Sequence, residues 1–165
     1  FFEGGHDVIV NDKSSFKKKE DLLEAISNYI WKMLAKELNE TREKYRNKEE
    51  LLVKLGKKYV TFFCENSRYY HFIISRNNMK IDLLSEFSKS ENDSQNAFNI
   101  LKTEATKVFE KYSIPPESIQ DKIIAMWALV QGLVTIVTMN NLSYSEYWEK
   151  KIEEIIKSSC MIPSL

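Results

Sequence analysis

Glu65, Ser67 and His71 fall within seven residues of one another, the nearest this chain comes to gathering a carboxylate, a hydroxyl and an imidazole. Hydrolytic chemistry needs a base within reach of its nucleophile and a third group to orient that base. These three have a simpler explanation as helix-end and surface residues. No Ser or Cys elsewhere stands near a plausible His base, no phosphate-cradling loop occurs, and no two carboxylates share an apolar setting. The chain is therefore expected not to be an enzyme. His6 and His71 are far apart, and no spacing of Cys, His and carboxylate fits a metal. Cys64 and Cys160 are too few for a disulfide framework and sit among apolar residues, as small core hydrophobes do. No cofactor is expected.

Two other features could bind rather than react. Lys13, Lys17, Lys18 and Lys19 crowd the expected start of a helix at Glu20, where the helix dipole disfavours cations. Phosphate would account for them, because helix N-termini and lysines both attract it. A solvated helix start, its dipole already met by Glu20 and Asp21, is the simpler account from the residues alone. The second feature is Gln131 within Ile123–Met139 (IIAMWALVQGLVTIVTM), which carries no charge in a chain that is 29% charged. A buried glutamine must find hydrogen-bond partners or cost about 1–3 kcal/mol, so it serves either the core or a ligand. Gly132 beside it costs about 1 kcal/mol relative to Ala inside a helix, which close approach of another helix would explain.

That apolar run is either a membrane span or the core of a helical domain. A span needs about 20 apolar residues with basic flanks. This run is shorter, contains Gln131, Gly132, Thr135 and Thr138, and has no such flanks. It is read as the central helix of a soluble bundle, hidden on all sides, with no membrane partner. At 165 residues the chain is one ordinary domain able to bury a core. Its 24 basic and 24 acidic residues cancel, which argues against a whole-domain nucleic-acid footprint but leaves room for a local basic patch. Phe1–Val10 lacks the basic start and apolar run of a secretory signal, so a reducing cytoplasm is the expected setting.

The positioning elements follow from apolar spacing. Leu22, Leu23, Ile26, Ile30, Met33, Leu34 and Leu38 recur at three and four, predicting one helix from Glu20 to about Tyr45. Asn47-Lys-Glu-Glu50 resembles a capping box opening a helix with Leu51, Leu52, Leu55, Tyr59, Phe62 and Phe63 on one face. Asn66-Ser67 breaks it before a short aromatic helix over Tyr69–Ile74. A short helix is possible around Ile81–Phe87, and a mobile loop at Ser90–Ser94. Further helices are expected over Gln95–Tyr112, then after Pro115-Pro116 to about Asn140, and from a second capping box at Ser143-Tyr-Ser-Glu146 to about Ser158. No strand is convincing. The fold class is all-α, a bundle of about six helices.

Three stretches together resemble one family, the TetR/AcrR transcriptional regulators. Ala125-Met-Trp127-Ala-Leu-Val-Gln131-Gly132-Leu133 looks like the Trp…His-Gly signature of that family's WHG ligand-sensing domain, with Gln131 where His is usual. Leu55-Gly-Lys-Lys-Tyr59 through Phe62-Phe-Cys-Glu65-Asn66 to Tyr69-Tyr70 is similar to the same domain's segment in which a helix ends in Glu-Asn. Phe16-Lys-Lys-Lys19-Glu20-Asp21-Leu22-Leu23 resembles the junction between the DNA-binding unit and the first core helix. The family's supporting and recognition helices cannot fit in Val8–Ser15. Residues 1–19 are thus expected to be a remnant of a helix-turn-helix unit, and residues 20–165 a ligand-binding and dimerisation domain.

The resemblance implies a ligand-responsive regulator, a repressor by expectation, that binds operator DNA as a homodimer and releases it on binding a small apolar ligand. It implies a pocket lined by Tyr59, Phe63, Trp127 and Gln131, and a phosphate contact by Lys19. It also implies a twofold interface through Ile136, Tyr147, Trp148, Ile152 and Ile155 on the last two long helices. A helical dimerisation or ligand-sequestering module without DNA binding is the alternative, favoured by the zero net charge.

Overall fold

A computed structural model describes residues 3–76, 81, 93–140 and 142–159, with side chains from residue 13 in the first stretch and from residue 96 in the third. Six α-helices follow in order: α1 (Glu3–Lys44), α2 (Leu51–Glu65), α3 (Ser67–Ser75), α4 (Asp93–Lys111), α5 (Pro116–Met139) and α6 (Glu146–Ser159). Among the described residues there is no strand, so the fold is the expected all-α bundle of six helices. Most of the possible helix at Ile81–Phe87, residues 90–92 of the expected loop, and Cys160 lie outside the described residues. Asp93 and Ser94 already belong to α4.

The first helix differs from expectation at its start. It begins at Glu3 rather than Glu20, so Lys13 and Lys17–Lys19 lie exposed along its shaft and not at its positive end. The acidic pair Glu20-Asp21 misled because a favourable dipole contact is worth only about 0.3–1 kcal/mol and does not force a helix to start. Ile30, Trp31, Leu34 and Leu38 form the buried stripe, each at most 1% exposed. Leu22 and Ile26 share the spacing but stay exposed.

Local chemistry sets the other helix ends. Asn47 takes the left-handed conformation (φ 60°) and turns the chain after α1. Glu50 is the N-cap of α2, with no side-chain capping bond, so the capping box expected at Asn47 does not form. Asn66 donates from Nδ2 and from its backbone N–H to the Phe62 carbonyl, which ends α2 and lets α3 begin at once. After α4, Ser113 (φ 56°) reverses the chain, and the Ile114 N–H returns to the Phe109 carbonyl. Pro116 then sits at the start of α5, where its missing N–H costs nothing. Asn140 ends α5 by donating to the Ile136 carbonyl.

The centre of the bundle is α2, not α5. The short α2 touches α1, α3, α4, α5 and α6, and ten of its fifteen residues are buried. Its three lysines lie where neighbouring helices supply carboxylates: Lys54 and Lys57 each reach Glu153 at 2.7 Å, and Lys58 lies 3.6 Å from Glu37. By contrast α5 buries Ile123, Val130, Leu133, Val134, Val137 and Thr138, while Ala128, Thr135, Ile136 and Met139 face outward. The expectation that this helix is hidden on all sides fails. By length and composition α5 is the one described helix that could cross a membrane, and a third of its most apolar window is buried inside the chain.

Candidate functional site

Two apolar cores meet at one side chain. The larger, around Trp31, Leu34, Leu55, Tyr59, Phe63 and Val134, draws on all six helices, with Ala97 from α4. The smaller, around Leu52, Phe98, Ala105, Phe109 and Ile123, joins α2, α4 and α5. Trp127 packs against both. Its ring lies 5.1 Å from Tyr59 on one side and 4.9 Å, edge to face, from Phe98 on the other. Offset and edge-on pairs of this kind add to what burial alone contributes.

On the Phe98 side of Trp127 the helices α2, α4, α5 and α6 do not quite close. The cavity left between them holds about 40 Å³ and is walled by Leu52, Ala105, Met126, Val130 and Ile156, among other apolar residues. Gly56 forms part of the wall. A Cβ there would meet Ile156 at 3.4 Å, the close end of ordinary van der Waals contact, so α6 packs directly on this position of α2. Only Lys102 and Ser159 bring polar side chains to the lining. A water molecule needs about 10–15 Å³ by the same measure, whereas sites for drug-sized ligands run to roughly 300–1,000 Å³. The cavity is therefore closed to anything large unless its walls move.

The four residues expected to line a pocket are brought together, but only Trp127 faces the cavity. Tyr59 and Phe63 are wholly buried, with ring centroids 5.4 Å apart, in a cluster that continues to Trp31, Phe62 and Tyr70. Gln131 donates from Nε2 to the Tyr59 hydroxyl at 2.6 Å. Burial, followed by the nearby Tyr70, pushes the Tyr59 phenol well above its ordinary range, so it remains a neutral hydroxyl at any physiological pH. Tyr59, Phe63 and Gln131 thus support Trp127 from behind rather than forming the wall. The wall residues Gly56, Phe98, Ala105 and Met126 were not among those expected to line the pocket. Gly56 alone carried a signal, as a glycine in mid-helix.

A polar strap leads away from this core. The Tyr70 hydroxyl of α3 lies 2.7 Å from the Thr135 Oγ1 of α5, one turn beyond Gln131. At the far end of α3, Arg76 donates to the Glu20 carboxylate of α1 at 2.8 Å. Glu20 is the neighbour of Lys19, which is exposed. The short helix α3 therefore links the Gln131–Thr135 turn of α5 to the stretch of α1 that carries the lysines.

The residues expected at a twofold interface divide. Ile136 is 50% exposed and Tyr147, edge-on to Trp148, is 66% exposed, both large values for such side chains. Ile152 is fully buried inside the chain's own core and is not available to a partner. It faces α2 because α6 must supply Ile152 and Ile156 inward when it offers Glu153 to Lys54 and Lys57. Trp148 and Ile155 are half-buried against that core. Gly132 is half-buried, and a Cβ there would meet nothing within 4 Å.

Cys64 is buried, and desolvation with the adjacent Glu65 pushes its thiol up to about 12, which leaves it inert. Glu65 and His71 are exposed and Ser67 opens α3, consistent with helix-end and surface roles. Among the described residues no group of His, Cys, Asp or Glu could hold a metal. No family model, curated protein or solved structure matches this chain.

Proposed function

We propose that this chain is the ligand-sensing and dimerising part of a transcriptional regulator of the TetR type. A small apolar molecule entering beside Trp127 would weaken the hold on operator DNA. The observation that carries this reading is the apolar cavity at Trp127, joined through Tyr70–Thr135 and Arg76–Glu20 to the α1 stretch around Lys19. A ligand that enlarges the cavity displaces α5 or α4. Movement of α5 pulls on α3, and α3 holds α1. Such a ligand acts only by binding one arrangement of these helices better than another. Lys19 serves as a phosphate contact, which positions a protein on DNA without reading bases.

The homodimer belongs to the same proposal. The outward face of α5 offers Ala128, Gly132, Thr135, Ile136 and Met139, small and apolar residues at helical spacing. Among the described residues nothing crowds position 132, and a close partner helix would account for a glycine there. A second copy of α5 crossing there uses the gap and covers Ile136, and a closed twofold contact is the commonest solution. Thr135, exposed on the same face, suits a protein neighbour better than lipid. The alternative is a sequestering or dimerisation module without DNA binding, and the zero net charge favours it.

Three readouts on the purified protein test the proposal. Light scattering should give twice the 19.4 kDa chain mass. Apolar compounds should change tryptophan fluorescence and raise the melting temperature. DNA binding should fall steeply with salt and weaken with the same compounds. Dimerisation and ligand binding with no salt-sensitive DNA binding would move the conclusion to the alternative. A monomer that binds neither would overturn both.

A further inference from the structure

Helices α1 and α4 end side by side, about 35 Å along α1 from Lys19, and the turn into α2 borders a cleft between them. Five cations line it: Arg42 from the last turn of α1, Arg46 and Lys48 from the turn, and Lys107 and Lys111 from α4. The cleft is open to solvent and holds about 610 Å³, within the range of small-molecule sites. Two of the cations are met by carboxylates, Arg46 by Glu43 and Lys107 by Glu104. Among the described residues Arg42, Lys48 and Lys111 form no ion pair, and neither does Glu49, the remaining carboxylate of the lining. Lys48 and Lys111 rest over the rings of Tyr45 and Tyr112 at 5.3 and 5.9 Å. A ring face takes up charge but accepts no strong hydrogen bond. The negative ends of two helices offset only about one unit of charge. Lys107 and Lys111 also stand four apart on one helix, where like charges repel. A second cleft of about 610 Å³, between α1, α2 and α6, shows the contrast. There four lysines face four glutamates, and Lys57 and Lys58 reach Glu149 and Glu37 at 3.4 and 3.6 Å.

We infer that the α1–α4 cleft binds a compact polyanion of the diphosphate or triphosphate type. A monoanion would meet one of the three unpaired cations, whereas linked phosphate groups can meet all three at once, and both arginine and lysine suit phosphate. The site is separate from the Trp127 cavity and stands or falls without it. The competing explanation is that these side chains only complement the two helix ends and otherwise stay solvated.

Inorganic monophosphate, diphosphate and triphosphate are titrated into the purified protein by calorimetry at matched ionic strength. Triphosphate and diphosphate should bind with one site per chain, more tightly than monophosphate, and the binding should weaken as salt rises. Lys48→Gln combined with Lys111→Gln should weaken triphosphate roughly tenfold, because two charge-assisted contacts are lost. Both positions are exposed, so the variant should fold, and circular dichroism checks that it does. Lys58→Gln, in the balanced cleft, removes the same charge and should leave triphosphate binding unchanged. An equal loss in Lys58→Gln would show attraction to the whole surface and overturn the assignment. So would equal affinity for the three ions, or no binding at all. If the Lys48 and Lys111 changes lower the melting temperature without anion and leave triphosphate binding intact, the helix-end explanation replaces the site. A single-stranded oligonucleotide that binds through the same lysines more tightly than triphosphate would overturn the small-ligand assignment in favour of nucleic acid.

Discussion

Helices α2 and α5 invert what their sequences suggest. The α5 run is uncharged from Ile123 to Met139, yet it leaves Ala128, Thr135, Ile136 and Met139 in the open. The α2 sequence carries Lys54, Lys57 and Lys58, yet it lies at the centre with ten of fifteen residues buried. Hydropathy records what a helix is able to bury, whereas position depends on which neighbours meet its polar atoms. The lysines of α2 occupy one flank and find Glu153 on α6 and Glu37 on α1, so charge does not keep α2 from the centre. Among the described residues the outer apolar surface of α5 is left uncovered, and the proposed second copy would cover it.

The contrast is most readily broken by equal truncations. Leu55→Ala in α2 removes a wholly buried side chain and should cost about 2–5 kcal/mol of unfolding free energy in urea. Ile136→Ala in α5 should cost less than about 0.5 kcal/mol per isolated chain. Comparable losses in a monomeric sample would show that α5 is buried after all.

A charge on the outer face separates folding from association. Ile136→Glu should leave the helical circular dichroism unchanged and halve the mass seen by light scattering. A dimer that persists would place the interface elsewhere. Gly132→Ala sharpens the point through its sign. In a monomer the change fills open space and should stabilise by about 0.5–1 kcal/mol through helix propensity. In a dimer with close helices the added methyl group should weaken association, so stability should become more dependent on protein concentration.

The smallest effect concerns the flank that lets α2 sit inside. Hydrogen bonds from Lys54 and then Lys57 hold the Glu153 carboxyl below its ordinary range. A depressed carboxylate contributes stability that is present above its unfolded pKa and lost as pH falls through its folded one. Glu153→Gln should therefore lower stability at pH 7 by under about 1 kcal/mol, given partial exposure and solvent screening. The difference from the parent chain should vanish in acid, below the ordinary carboxylate range. A difference that persists there would mean that Glu153 acts through packing rather than charge.

Much of the fold was legible in the sequence because helical period survives local error. The stripe Ile30, Leu34, Leu38 and the breaks at Asn66 and Pro115-Pro116 placed helices correctly even where their ends moved. Capping signals were less reliable: Asn47 turned out to be a left-handed turn residue, because Asn suits both roles. The site was legible only in part. Trp127 stood out as a large ring in an uncharged run, and Gln131 as an amide in need of a partner. That Phe98, Ala105 and Met126 wall a cavity was not legible, since membership of a cavity wall depends on how four helices pack and leaves no local pattern. Ile152 and Ile136 have the same chemistry, and only the packing of α6 against α2 tells which one is covered.

The contact between Arg76 and Glu20 has a mechanical consequence. At a rise of about 1.5 Å per residue, Lys13 lies roughly 25 Å along α1 from Ile30, where the core first grips that helix. The stretch between them is a lever: a tilt of about 5° at its gripped end swings Lys13 by about 2 Å. Arg76 is the stay that braces this arm at Glu20. With Glu20 44% exposed, the brace is open to solvent ions, and raising the salt concentration should slacken it. The stiffness of the arm is then tunable by ionic strength without any change in the core from which it springs.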